Sequence, residues 1–313
     1  MLPFLFQNQK KDSNIKMNIN FLDSHSFNPY TAELLQQYLI QHHLPSTGFY
    51  YVLAIQDHTI LALGILYQKK LHPHRDYILL HSLQDCLEPR LFSTLIQHLE
   101  HNSKQGKLQY LLNSKDMHLN QLFRFHDFKI ARRTFLIELN QLQLASLNPE
   151  PIKTKNLKQL SLHEWRELKT LFHTHYRQHH ASVNGLAKEV CSEQLFKLLE
   201  NINLEQSKVS LNCQPNHHKC APSIMAYLLI GNSDPCTLEV AYIGGREESH
   251  FNEYLPFFQL ELSSLLQQFQ RVYFEADDTD YYAYTLAHRL GCDFAKNDYT
   301  LIKDLKNRIN SDF

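Results

Sequence analysis

Several groups of residues in this chain have the types and spacing to do chemistry. Cys213-Gln-Pro-Asn-His217-His218-Lys-Cys220 puts two thiols and two imidazoles into one short loop, a ligand set that zinc accepts. The paired spacings of zinc modules are missing, and Pro, Asn and His are ordinary residues for a turn between strands, so no metal is expected. His173, His175, His179 and His180 crowd one stretch. His175 and His179, four apart on a helix, can share a ligand, but imidazolium near a helix C-terminus is also favoured by the helix dipole. Gly244-Gly245-Arg246 follows an apolar strand and precedes a helix. Small residues there either let backbone N–H groups approach an anion or simply end the strand in a turn. Glu239 lies on that strand. Alternation puts it on one face with Thr237, Ala241 and Ile243, opposite Leu238, Val240 and Tyr242, where a carboxylate either accepts a proton or makes a plain salt bridge.

The elements that position these residues read as one unit repeated. In the first half, strand Met17 to Leu22 and helix Pro29 to His43 precede strands Tyr50 to Gln56, Ile60 to Tyr67 and Asp76 to Leu83. A helix opened by Pro89 carries Leu91, Leu95 and Leu99 on one stripe. Strand Leu108 to Leu112, helix Met117 to Phe125 and strand Lys129 to Leu139 follow. The second half has helices Leu162 to Gln178 and Ser192 to Ile202, then strands Lys208 to Cys213, Ser223 to Ile230 and Thr237 to Ile243. A helix opened by Pro256, strand Val272 to Ala276, helix Asp280 to Leu290 and a strand pair within Phe294 to Leu305 complete it. Asn148-Pro-Glu-Pro151 argues for an extended connection. The expected division is an extension over 1–16, a first domain over 17–140, a linker over 141–157 and a second domain over 158–313.

Composition bounds the function. A chain of 313 residues favours two domains over one hydrophobic core. Lys plus Arg (31) nearly balances Asp plus Glu (32), which removes the electrostatic case for general nucleic-acid binding. The apolar runs fall far below the roughly 20 residues of a bilayer span, and no membrane association is expected. The first residues do not form a signal-peptide core, and the six cysteines read as free thiols, so a cytoplasmic location is expected.

Gly-Gly-Arg between a strand and a helix, then Tyr273-Phe-Glu-Ala-Asp-Asp-Thr-Asp280 and Ala283-Tyr-Thr-Leu-Ala-His-Arg-Leu-Gly-Cys292, resemble the last strands and helices of GCN5-related N-acetyltransferases (GNAT). His126-Asp-Phe-Lys-Ile-Ala-Arg-Arg-Thr-Phe-Leu-Ile-Glu-Leu139 is similar to the closing strand of that family. The resemblance runs from about Met17 to Leu305. It implies a tandem GNAT protein of α+β class, with two domains that are each a mixed, mostly antiparallel sheet flanked by helices.

What the resemblance implies for chemistry is an acetyl-CoA site between two parallel strands, no metal, and acyl transfer to an amine. The second half is the expected active half, with Tyr242, Ile243, Gly244, Gly245, Arg246 and Asp280 on the donor. The usual phosphate loop is altered in both halves. Leu87 and Pro89 replace its glycines in the first, beside Asp85 and Glu88; Ser249 and Phe251 replace them in the second, after Glu247 and Glu248. Glu239 takes the place of the family's base, with Glu275 on the next strand as its alternative. Ala287 stands where the acidic Tyr would be, which makes Tyr284, one helical turn earlier, the substitute. Tyr176, Arg177 and His180 are expected on the acceptor side.

The acceptor is expected to be an amine-bearing small molecule, peptide or protein, and a homodimer is compatible with the sequence. The competing readings are a degenerate tandem fold that binds a ligand or protein without turnover, and a transferase that uses aminoacyl-tRNA. The last would be supported by a basic groove and a coiled-coil arm, neither of which the sequence shows.

Overall fold

The computed structural model describes residues 19–46, 48–83, 87–140, 152–199, 201–212 and 223–305. The Cys213 to Cys220 loop, Gln84 and Asp85, the N-terminal extension and most of the expected linker lie outside them. The first half runs β1 (Asn20–Asp23), α1 (Pro29–Gln41), β2 (Tyr50–Gln56), β3 (Thr59–Lys69), β4 (His72–Ser82), α2 (Pro89–His101), β5 (Lys107–Asn113), α3 (Met117–Phe125) and β6 (Lys129–Leu139). The second runs β7 (Thr154–Asn156), α4 (Leu162–Asn184), α5 (Ser192–Phe196), β8 (Lys208–Asn212), β9 (Ser223–Ser233), β10 (Thr237–Gly245), α6 (Phe251–Gln268), β11 (Arg271–Asp277), α7 (Tyr281–Arg289) and β12 (Asn297–Asp304). The same order occurs twice. β7 begins inside the stretch read as linker, and the last strand is single rather than a pair.

Local chemistry sets the ends of α4. Ser161 and Glu164 form a reciprocal capping box, and Glu164 also takes an ion pair from Lys155 at 2.7 Å. The helix then continues past Gln178 to Gly185, which adopts φ +66°; a Cβ there would lie 2.7 Å from Arg75 Cγ, so both the backbone angle and the space demand glycine. Arg75 Nε and Nη2 donate to the carbonyls of Val183 and Ser182, and Tyr77 donates to that of Asn184. The first half therefore satisfies the open carbonyls at the end of a helix of the second. α6 starts at Phe251, five residues before Pro256. Burial of Phe251, Tyr254, Phe257, Phe258 and Leu262 outweighs the hydrogen bond that an interior proline removes.

All strands among the described residues join one twelve-stranded sheet in the order β1-β2-β3-β4-β5-β12-β6-β11-β10-β9-β8-β7. The mixed, mostly antiparallel α+β architecture is as the sequence implies, but the two sheets are continuous and trade their closing strands. β12 lies between β5 and β6, and β6 between β12 and β11. Phe135, Ile137 and Leu139 of β6 are buried in the core beneath α6 and α7, while Leu301 of β12 is buried beneath α2 and α3. Asn297 faces Phe135 in register, so these two cores occupy the same face of the sheet. α1 and α4 cover parts of the other face. No described helix is long and apolar enough to cross a membrane.

Two strand pairs are parallel, β4 with β5 and β10 with β11, each joined by a crossover helix. Both pairs part early. β4 and β5 are in register only at Asp76–Leu108 and Tyr77–Gln109, and β10 leaves β11 after Val240 and Phe274. In the first half buried Asp76 secures the base of the split, accepting from the Ser103 hydroxyl and from the backbone N–H groups of Lys104 and Gln105.

Candidate functional site

The split between β10 and β11 opens on a cavity of about 360 Å³ on the α4 face of the sheet. A bulge shapes it. The β10–β9 register shifts on both sides of Val240, so simple alternation breaks down. Glu239, Ala241 and Tyr242 line the cavity, whereas Leu238, Val240 and Ile243 are buried under α6 and α7. The sequence paired Ile243 with Glu239 and put Tyr242 opposite; the extra residue of the bulge exchanges their faces. Ile243, expected among the donor-binding residues, is a core residue, and the Tyr242 ring rests edge-on against Phe172.

His180, projecting from α4, stands between two carboxylates. Its Nδ1 is 3.5 Å from Asp277 and its Nε2 3.7 Å from Asp280. Burial alone would disfavour its charge, but those two carboxylates win and raise its pKa to about 9. Arg132 of β6 lies 3.0 Å from Asp277, which also accepts from the Thr134 hydroxyl. Buried Asp277 would be raised by desolvation, yet His180, Arg132 and Thr134 together hold it below the usual carboxylate range. Asp280 caps α7, accepting from the N–H groups of Tyr282 and Ala283, with its other oxygen turned to His180. Two carboxylates are thus balanced by Arg132 and the His180 imidazolium.

Glu239 and Glu275, on neighbouring strands, line the same cavity and have no ion-pair partner among the described residues. The walls of the cleft desolvate Glu275 and raise its pKa, with further contributions from Asp277 and Glu239. Among the described residues this pair is the uncompensated negative charge of the site.

The other histidines are engaged with the protein itself. His175 Nδ1 lies 2.8 Å from the Tyr227 hydroxyl; burial, then His179, lowers its pKa to about 4, so it is neutral at pH 7. His179 Nδ1 meets the Thr279 carbonyl at 3.1 Å. Among the described residues no group of His, Cys, Asp or Glu is placed to hold a metal ion. Arg177 donates to His173 and to the carbonyls of Ala187, Lys188 and Val190, which fastens the loop after α4 and keeps it out of the cleft. Tyr176 does line the cleft, its ring 4.8 Å from that of His180.

The donor side differs from the expectation. A Cβ on Gly244 would lie 2.4 Å from the Tyr227 ring, and one on Gly245 would lie 2.4 Å from that of Tyr254. The glycine pair thus makes room for buried aromatic rings. Arg246 donates to Glu167, to the Ser223 hydroxyl and to the Ile224 carbonyl. Its backbone N–H goes to Met225, and that of Glu247 to the Tyr254 hydroxyl. Glu247 and Glu248 add negative charge where α6 begins. Gly244, Gly245 and Arg246 do not fit the diphosphate of acetyl-CoA: the cation is committed, the Arg246 and Glu247 amides are satisfied, and Glu247 and Glu248 oppose an anion. Tyr284 packs against Phe135 and Phe294 on the α6–α7 face, across the sheet from the cleft. Among the described residues the phenols that line the cleft are Tyr176 and Tyr242.

Sequence reasoning missed Arg132 and Thr134. Both lie on β6, between the apolar positions that marked it as a strand, but only the exchanged topology brings them to Asp277.

No protein-family model and no curated protein sequence matches the chain. Solved structures do. A GCN5-related N-acetyltransferase from Sphaerobacter thermophilus aligns with a TM-score of 0.56 at 11% identity, over 88% of this chain and 85% of that one. A tandem GNAT protein from the clavulanic acid biosynthesis pathway aligns with a TM-score of 0.54 at 8% identity, over 92% of this chain and 99% of that one. Likeness at such identities is likeness of fold. Extending over about nine-tenths of this chain, it shows that the chain has the fold of the tandem GCN5-related N-acetyltransferases.

Proposed function

We propose that the cleft at the β10–β11 split binds a primary ammonium group between Glu239 and Glu275, and that this amine is the acceptor of an acyl group. The observation that supports it is the charge distribution. Of the four carboxylates that line the cavity among the described residues, Asp277 and Asp280 are matched by Arg132 and His180, while Glu239 and Glu275 are left to face a cation. Acyl transfer needs the amine neutral, whereas an alkylammonium is almost wholly protonated at pH 7. A carboxylate whose pKa is raised by its surroundings is the better proton acceptor. Glu275 meets that condition, and the Glu239 carboxylate on the adjacent strand contributes to it.

Acetyl-CoA is the donor that the resemblance implies. Gly244, Gly245 and Arg246, the residues expected on its diphosphate, offer no cradle for it. That misfit favours a second reading, in which the cleft binds an amine without turnover. The two are separated by screening primary amines and peptides for thiol release from acetyl-CoA while measuring amine binding by calorimetry. Release that depends on both glutamates supports transfer; binding without release supports the module.

A further inference from the structure

A second cavity, of about 660 Å³, adjoins the acidic cleft on the same face and lies over the β4–β5 split of the first half. Four residues line both: Arg132, Tyr176, Leu198 and Tyr242. The two spaces are therefore ends of one groove that crosses the exchanged strands. Their charges are opposite. Among the described residues no Asp or Glu lines the larger cavity, whereas Lys69, Lys70 and Arg132 do. Neither lysine has an ion-pair partner among the described residues, and Lys69 Nζ sits 4.7 Å over the Tyr77 ring. The floor carries polar groups left without partners: His72 Nδ1, Gln109 Oε1, Thr300 Oγ1 and Arg132 Nε, in side chains that are almost wholly buried. Such groups cost free energy unless a ligand or water meets them, and here they gather under one cavity. His72 takes part in a 3.0 Å contact between its Nε2 and the Tyr176 hydroxyl. When that hydroxyl donates, the proton of the neutral imidazole is on Nδ1, which makes it a donor. Burial first, then Lys69, His180 and Arg132, lowers the His72 pKa to about 4.

We infer that this cavity receives a carboxylate carried by the same molecule whose amine lies at Glu239 and Glu275, so that the ligand is a short peptide-like chain with a free amine at one end and a free carboxylate at the other. The inference rests on the amine-binding reading above. The middle of the groove, where Tyr176, Tyr242 and Leu198 are common to both cavities, suits an uncharged body. A groove with unlike ends also sets direction: the reverse orientation would put the ammonium among lysines and the carboxylate between glutamates.

The test is calorimetric titration of the full-length chain with alanine peptides of two to five residues, each as free acid, as C-terminal amide and as N-acetyl acid. Above the length that spans the groove, the free acid is expected to bind roughly tenfold tighter than the amide, as a charge-assisted contact gives. In the Lys69→Gln, Lys70→Gln double variant, which changes two exposed side chains, that preference should shrink toward unity while affinity for the amide stays unchanged. Equal binding of acid and amide at every length, with the N-acetyl peptides rejected, would overturn the carboxylate site and leave the amine reading intact. Equal binding of free and N-acetylated acids would overturn the amine reading, and with it the two-ended ligand. Failure of every peptide to bind would overturn both.

Discussion

Arg132 on β6 and Asp277 on β11 lie 3.0 Å apart, and the strands that carry them belong to opposite halves of the chain. β6 closes the first half in sequence but lines the cleft of the second, because it is hydrogen-bonded to β11 on one side and β12 on the other. The candidate site is therefore a joint product of both repeats, although most of its residues fall in one.

Shared strands imply shared stability. With Phe135, Ile137 and Leu139 of β6 in one core and Leu301 of β12 in another, neither half keeps its core intact when its partner unfolds. Scanning calorimetry should show one cooperative transition whose calorimetric and van't Hoff enthalpies agree. Two separable transitions would mean that the exchanged strands are not essential to either half.

Arg246 should act on stability. Its guanidinium is committed to Glu167, Ser223 and Ile224. Arg246→Ala and Glu167→Gln should be non-additive in urea unfolding, with a coupling of about 1 kcal/mol or less because the arginine is partly exposed. Acetyl-CoA affinity in Arg246→Ala should match that of the parent. A fall of tenfold or more would restore Arg246 as a phosphate ligand.

His180 should leave a signature in the pH dependence of unfolding. Its pKa is raised in the folded state to about 9 from 6.5, so the stabilisation is fully present below pH 6.5 and is lost as pH rises through about 9. The loss for this one group would be on the order of 3 kcal/mol at most. Urea midpoints measured between pH 6 and 9.5 should fall more steeply for the parent than for His180→Gln. Parallel profiles would show that the imidazole is not held charged by Asp277 and Asp280.

Periodicity made nearly every element legible in the sequence, and the repeat with it, since apolar spacing reports burial whichever partner supplies it. It could not report which partner. Lys129 to Leu139 reads as a closing strand in either topology, and only the register of β6 with β11 shows whose cleft Arg132 enters. Tyr242 and Ile243 were misassigned between faces for a related reason: a bulge adds one residue, and period-two counting cannot detect it. Glu239 and Asp280 both line the cleft, because the strand and the helix start that carry them are legible in the sequence. Tyr284 rests on the resemblance of its helix to the family and on one turn of helical spacing, which give a direction on the helix but not the side of the sheet to which the helix belongs.

The most direct test of the account is amine-dependent thiol release from acetyl-CoA in the parent, in Glu239→Gln and in Glu275→Gln, across pH 5 to 9. The account predicts release with a primary amine or free peptide N-terminus in the parent, weakening as pH falls and Glu275 takes up its proton. Turnover should be roughly 10²–10⁴ lower in the variant that lacks the proton acceptor, with the fold unchanged by circular dichroism. Turnover equal to the parent in both variants would contradict it, and would make Glu239 and Glu275 carboxylates of the wall with no part in the reaction.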